Sequence, residues 1–252
     1  MLSEILLGVE SSSLISLTPA LPVALVLMVA GGAAVAAAGG LGHGWAVVRA
    51  CLRGVVQLAV VSLVIAWVVA NGLAVAGFIL VMYVFATHTA ARRIGTYWAW
   101  LPIAAGSVPI LGVLTATGVV SLDGIVIIPV AGIVFGGCLI ATALAGRRAT
   151  DELTTRHGEV EAAMSLGFTP REARLEICRP AAAQALVPAL DQTRTVGLVT
   201  LPGAFVGMLI GGASPVEAGI VQLVVLVALL SAEAFAVVVT VELAARGRLI
   251  RP

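Results

Sequence analysis

Lysine is missing from this chain; all 14 of its basic residues are arginines. That absence excludes a phosphate-binding loop of the Gly-x-x-x-x-Gly-Lys-Ser/Thr type, a Schiff base with retinal or pyridoxal phosphate, and a lysine general base. Charge of either sign is scarce, at 11% of 252 residues, where a soluble domain carries about a quarter. Three cysteines without a Cys-x-x-Cys pair argue against a zinc site or a disulfide framework, and Cys138 reads as packing. A net charge of +1 makes no electrostatic case for nucleic acid, which is not expected as a partner. What is abundant is apolar: 60% of the residues are hydrophobic, and the mean hydropathy is +1.13. Such a chain cannot cover its own surface with polar groups, so its solvent is expected to be largely lipid.

The few charges divide the sequence into long neutral runs. Between Glu10 and Arg49 there is room for one span, about Thr18 to Gly40. At roughly 20 residues per span, the run from Gly54 to Ala91 holds two, with Asn71-Gly72 as the turn between them. The stretch from Ile94 to Gly146 holds two more around Ser121-Leu122-Asp123-Gly124. A sixth span is expected from about Thr195 to Gly212, interrupted by Pro202-Gly203, and a seventh from about Val216 to Ala244. The predicted fold is therefore an all-α integral membrane protein of about seven spans, one transmembrane domain over residues 1–252.

Arginine placement sets the orientation. Arg49 and Arg53 follow span one, Arg92 and Arg93 span three, Arg147 and Arg148 span five, and Arg246, Arg248 and Arg251 span seven. The opposite connections carry only Glu4, Glu10, Asp123 and Glu217. The alternation puts the N-terminus outside and the C-terminus in the cytoplasm of an inner-membrane protein. The first eleven residues lack a positive n-region, so Leu2 to Leu17 reads as a short outer, interfacial segment rather than a secretory signal.

About half of all charged residues lie between Arg147 and Arg194, the expected cytoplasmic segment between spans five and six. A helix is predicted from about Thr150 to Leu166, stopped by Gly167. Thr169-Pro170-Arg171-Glu172 then supplies an N-cap threonine, a proline at the first helical position and a glutamate at the third. This second helix is expected to reach Cys178 and end near Pro180, giving helix, glycine elbow, helix.

Glu161-Ala162-Ala163, with Gly167, Ile177 and Pro180 at their spacings, resembles the Glu-Ala-Ala loop of ABC transporter permeases. The leucine usual before the proline is Arg179 here. The tripeptide alone is cheap in an alanine-rich chain; the spacing and the cytoplasmic side carry the likeness. Pro188-Ala189-Leu190-Asp191, Thr193 through Gly203, and Gly211-Gly212-Ala213-Ser214-Pro215 with Ala218 and Gln222 narrow it. Together with Gln57 and Arg92-Arg93, they resemble the small single-domain permeases related to bacterial iron-export and plant aluminium-tolerance permeases. The resemblance implies a homodimeric permease that binds a separate ATP-binding cassette subunit at Glu161, Ala162, Ala163, Gly167, Ile177 and Pro180. ATP and Mg would reside on that partner; no cofactor is expected in this chain. Iron-exporting relatives tend to place methionines and polar residues just after the Pro-Gly, where this sequence has Ala204, Phe205 and Val206, with Met208 further on. Metal export and another solute both stay open.

The residues that could line a substrate path or gate are Gln57, Thr200, Pro202, Gly203, Gly207, Met208, Gln222 and Glu233. Pro202-Gly203 should break backbone hydrogen bonding, which membranes tolerate only inside protein or beside a watery cavity. Gly203, Gly207 and Gly211 form one row on a helix face, fit for a dimer seam, a pore wall or, the favoured reading, packing within the chain. Glu233 lies within the seventh span, where an ionised carboxylate costs roughly 2.5–3.5 kcal/mol. It reads equally as a site for a cation, a proton or a hydroxyl and as a neutral acid bonded between helices, with Gln57 and Gln222 as available partners. His88, beside Thr87 and Thr89, reads as structural, and no cluster of metal ligands has convincing spacing. The alternative to a cassette-driven permease is a stand-alone proton- or ion-coupled transporter using Glu233. An enzyme is not expected, because the spans hold no nucleophile and base at one depth.

Overall fold

The computed structural model describes residues 19–249. The segment Leu2 to Leu17, with Glu4 and Glu10, and Arg251 lie outside the described residues. The described chain is helical, with no strand and a single isolated bridge between Val196 and Thr200. In chain order the helices are α1 (Ala20–Ala38), α2 (Gly44–Val69), α3 (Gly72–Ile94), α4 (Trp100–Ala116) and α5 (Gly124–Thr155). They continue as α6 (His157–Ser165), α7 (Pro170–Ala183), α8 (Val187–Thr195), α9 (Gly203–Ile210) and α10 (Pro215–Ala245). Among the described residues six helices are long and apolar enough to cross a membrane: α1, α2, α3, α4 with its preceding 3-10 turn, α5 and α10. The breaks at Asn71 and Asp123 fall where the sequence places them. The protein is an all-α integral membrane protein.

The chain forms two compact units, Met1–Ala66 and Trp67–Pro252, divided within α2. In the first, α1 turns into α2 through Gly40 and Gly42, both at φ +68. A Cβ at Gly44 would lie 2.9 Å from the Ala33 carbonyl oxygen, so this helix pair closes on a residue with no side chain.

In the second unit α3, α5 and α10 run in the same direction. Val75 meets Gly124, Met82 meets Gly132 and Ile94 meets Gly146, so α3 and α5 advance together. Along α5 and α10, Gly137 meets Leu229 and Glu233. Farther on, Ala145 and Ala149 share a cluster with Val241 and Ala244. Helix α4 runs the other way: Gly106 abuts Ala232, whereas Leu114 and Thr117 lie with Leu223 and Val224. Small residues every fourth position (Ala141, Ala145 and Ala149 on α5; Ala228, Ala232, Ala236 and Thr240 on α10) let these backbones approach closely, as lipid-embedded helices must when no hydrophobic drive separates them from solvent. Large apolar side chains such as Leu80, Val108, Ile140 and Val238 point outward instead. Because the three helices are parallel, Arg92, Arg93, Arg147, Arg148, Arg246 and Arg248 gather at one end, with Asp123 and Glu217 at the other.

The sixth expected span differs from its prediction. Thr195 to Gly212 is not one helix: residues 196–202 are non-helical and α9 has only 8 residues. At 1.5 Å per residue that is about 12 Å, less than half of a bilayer core. Yet parallel α5 and α10 oblige the chain between them to travel from the arginine end to the acidic end. It does so in pieces. Arg171 of α7 meets Glu242, Leu186 lies with Val237 and Val238, and α9 enters α10 through the turn at Gly211–Ser214.

Two helix bounds also differ. The Thr150–Leu166 helix is broken at Arg156, and α7 passes through Pro180 to Ala183. The proline removes one backbone hydrogen bond. Burial of Ala173, Ile177, Cys178 and Ala182 against α5 and α10 keeps the helix going through it.

Candidate docking elbow and transport path

The elbow is built from satisfied helix ends. Arg156, where α5 stops, donates two hydrogen bonds to Glu159, at 2.7 and 2.5 Å. It lies 3.5 Å from Glu152. That guanidinium holds the Glu159 carboxyl below the usual carboxylate range. Helix α6 turns Val160 inward and leaves Glu161 and Ala162 exposed, with Ala163 half-buried. It ends with Gly167 at φ +97, a left-handed conformation that favours glycine. The Gly167 N–H donates to the Met164 carbonyl at 3.0 Å and the Phe168 N–H to the Ala163 carbonyl at 3.2 Å, a Schellman closure.

The next residue opens α7 with a complete capping box. The Thr169 N–H and O–H donate to Glu172 Oε2 at 2.9 and 2.7 Å, and the Glu172 N–H donates to Thr169 Oγ1 at 3.3 Å. These bonds hold the Glu172 carboxyl below its ordinary range. A turn so fully bonded is stiff, and it carries apolar side chains on its outside: Leu166 is 81% exposed, and Phe168 and Met164 project beside it.

Of the six residues assigned to docking, the structure exposes Glu161, Ala162, Gly167 and Pro180. Ile177 is buried in the core shared by α5, α7 and α10, so it positions α7 and presents nothing outward. Sequence reasoning passed over Leu166 and Phe168. Their signal was two large apolar residues flanking a helix-stop glycine on an otherwise polar segment. The elbow is tied to the spans through α7. Arg171 forms a two-pronged ion pair with Glu242 at 2.8 and 2.6 Å, and Arg174 donates to the Ala245 carbonyl at 3.3 Å.

Glu233 sits where α4, α5 and α10 cross and is 8% exposed. A Cβ at Gly137 would lie 2.7 Å from its Oε1, and one at Gly106 would lie 2.4 Å from the Ala232 carbonyl and 2.7 Å from Cys138 Sγ. The missing side chain of Gly137 is thus the space that the carboxyl fills. Among the described residues no hydrogen bond or ion pair reaches Glu233. Three further buried polar atoms among the described residues, Thr87 Oγ1, Thr142 Oγ1 and Gln222 Oε1, also lack a partner. Gln222 lies three turns from Glu233 on the same face of α10, about 16 Å along the axis, so the two do not meet. Gln57, in the other unit, is exposed.

Thr200, Gly203 and Gly207 are exposed, and Pro202 and Met208 are half-buried. No heavy atom lies within 4 Å of a Cβ built at Gly203 or Gly207, and at Gly211 only the backbone of its own turn does. The expectation that this glycine row packs within the chain is therefore corrected: among the described residues its face is uncovered. His88 is exposed on a cavity of about 340 Å³ with Arg92 and Tyr97. Among the described residues no three His, Cys, Asp or Glu side chains gather as an ion-holding group.

The pattern of the Uncharacterised protein family (UPF0014) matches residues 20–248. The chain is 34% identical over 84% of its length, and 76% of the relative's, to "UPF0014 membrane protein STAR2" of Oryza sativa subsp. japonica. It is 37% identical to "Protein ALUMINUM SENSITIVE 3" of Arabidopsis thaliana, over 60% of this chain and 58% of that one. It is 28% identical to "Probable iron export permease protein FetB" of Escherichia coli (strain K12), over 77% and 78% of the two chains. No solved structure matches. A helical membrane unit with small-residue crossings, and relatives aligned along most of its length, agree on one assignment: this chain belongs to the UPF0014 membrane-protein family.

Proposed function

We propose that this protein is the membrane-spanning permease subunit of a transporter driven by a separate ATP-hydrolysing chain, which docks on the elbow at the cytoplasmic face. The observation that carries the reading is the elbow itself. It is a fully bonded helix–glycine–helix turn with Leu166, Phe168 and Met164 outward, at the arginine-rich end. The positive-inside rule assigns that end to the cytoplasm, which places the C-terminus inside and, with seven crossings, the N-terminus outside. The chain has no lysine, and so no Gly-Lys phosphate loop of its own with which to use ATP. A permease role is supported by the name of the FetB relative, which also makes a metal cation the leading cargo class, moved outward. ATPase cassettes of this kind close as pairs, so two copies of this chain would serve one transporter; the uncovered glycine row of α9 suits the seam between them.

A push on the elbow reaches the spans through α7. Its arginines grip the end of α10, and α10 carries Glu233 and Gln222. Because packed helices re-seat between discrete arrangements rather than stretch, a shift of α7 would re-pack the α4–α5–α10 crossing. The test is co-purification of the chain with its partner ATPase. Leu166→Asp with Phe168→Asp is expected to release the ATPase while leaving the permease folded, by its unchanged melting transition in detergent. Full retention of the ATPase by the doubly substituted, folded chain would refute the docking assignment.

The buried Glu233, unpartnered among the described residues, favours a second reading, an ion- or proton-coupled transporter acting alone. It predicts transport that follows an imposed proton gradient and ignores ATP.

A further inference from the structure

A groove of about 240 Å³ runs between α7 and α10 at the arginine end. Its floor is apolar: Leu175, Val237 and Val241 are buried there, and Leu186 closes its inner end. Its wall toward the outside of the unit is Val238, 67% exposed. Its mouth is cationic. Arg171 and Arg246 both bond the one Glu242 carboxylate, at 2.6–2.8 Å and 2.6 Å, so that trio has one positive charge in excess, which the nearby Glu172 carboxylate offsets in part at Arg171. Arg179 lines the same groove and has no acidic partner among the described residues.

The level of this mouth relative to a bilayer is marked independently. Arg248 lies 4.7 Å above the ring of Trp98, Tyr97 is almost wholly exposed, and the Thr96 hydroxyl donates to the Arg248 carbonyl at 3.0 Å. Arginine with tyrosine and tryptophan at the end of a span is the composition of the membrane–water interface. The groove therefore opens at headgroup depth and deepens toward the hydrocarbon.

From this we infer that the α7–α10 groove is a binding site for an anionic glycerophospholipid, its phosphate held by Arg179 with the positive Arg171–Glu242–Arg246 trio, and an acyl chain laid along Leu186, Val237 and Val238. A guanidinium forms paired hydrogen bonds with phosphate oxygens. The charge of Arg179, without an acidic partner among the described residues, favours a headgroup with net negative charge over one carrying an ammonium, and basic pockets between helices at the cytoplasmic face are places where such headgroups bind. Arg179 is also where this sequence departs from the leucine of the loop pattern it resembles. The departure thus has a physical role: it supplies a groove-lining cation that has no acidic partner among the described residues. Since α7 starts at the elbow, lipid seated here braces the same helix that leads to the spans.

The experiment uses the full chain in neutral detergent and titrates it separately with phosphatidylglycerol, phosphatidylcholine and inorganic phosphate, reading the melting temperature and the lipid retained by native mass spectrometry. Phosphatidylglycerol is expected to raise the melting temperature well above phosphatidylcholine, and phosphate alone to do nothing. Arg179→Leu is expected to weaken phosphatidylglycerol retention about fivefold, as for one interfacial cation, while Arg148→Gln leaves it unchanged. Val238→Trp, which fills the groove without altering charge, is expected to lower retention as well, and stands in should Arg179→Leu not fold. Equal response to the two lipids, an equal response to inorganic phosphate, or undiminished retention in the folded variants would each overturn the site.

Discussion

Two glycines at the same three-helix crossing give a sharp comparison, because a methyl group added at each meets a different kind of neighbour. At Gly106 a Cβ would fall 2.4 Å from the Ala232 carbonyl oxygen, backbone inside a packed helix, and 2.7 Å from Cys138 Sγ. The carbonyl, fixed in its helix, cannot retreat, so Gly106→Ala must push α4 away from α10. Overpacking of this kind costs about 1–3 kcal/mol, and a clash with backbone belongs at the upper end. At Gly137 the nearest atoms are 2.2 Å away at Leu229 Cδ1 and 2.7 Å away at Glu233 Oε1, both ends of flexible side chains. They can rotate aside, so Gly137→Ala should cost about 1 kcal/mol or less in stability while displacing the carboxyl and reducing transport. Thermal or chemical unfolding of both variants in one detergent gives the stability order, and solute flux in vesicles gives the functional order. If Gly106→Ala were as stable as the parent, or Gly137→Ala the more damaged of the two, the close helix crossing described here would be wrong.

The Thr169 cap yields a pH signature. Glu172 is held below its ordinary range by hydrogen bonds from Thr169, so the stabilisation is present above the unfolded-state value, about 4.3, and is lost as pH falls through the lower folded value. Thr169→Ala should flatten that acid limb of the stability curve, measured by unfolding between pH 3 and 6, and should cost about 1 kcal/mol for the lost cap at neutral pH. Glu233→Gln keeps the shape that Gly137 accommodates, so it should fold normally; abolished transport together with normal ATPase coupling would assign the carboxyl to the cargo, and unchanged transport would make it structural.

The parts legible in the sequence were those fixed by local chemistry. Asn71 and Asp123 mark breaks because charge and turn residues interrupt neutral runs, and Thr169-Pro170-Arg171-Glu172 encodes both halves of its cap within four residues. The broken crossing at 196–210 was not legible, because hydropathy scores an apolar stretch alike whether it forms one helix or a loop and an eight-residue helix. Pro202-Gly203 carried the signal of a break, but not its extent. Helix α7 outlasts Pro180 because of contacts with α5 and α10 that lie far away in the chain. The same holds for Glu233: its place in a span was readable, whereas the space made for it by Gly137, almost a hundred positions earlier, was not. The glycine row of α9 shows the converse limit. Its spacing announced a packing face, but spacing names no partner, and within the described chain that face stays uncovered.

The central claim is that the elbow meets an ATP-hydrolysing partner at the cytoplasmic face, and proximity measures it most directly. A chain carrying Leu166→Cys, with Cys51, Cys138 and Cys178 replaced, would be co-expressed with the candidate partner ATPase and treated with a short bifunctional thiol reagent. The account predicts a permease–ATPase adduct that forms at position 166 and not at a control cysteine replacing Leu122, at the opposite end of the spans. Labelling of position 166 only by impermeant reagent added from outside intact cells, with no adduct, would contradict it.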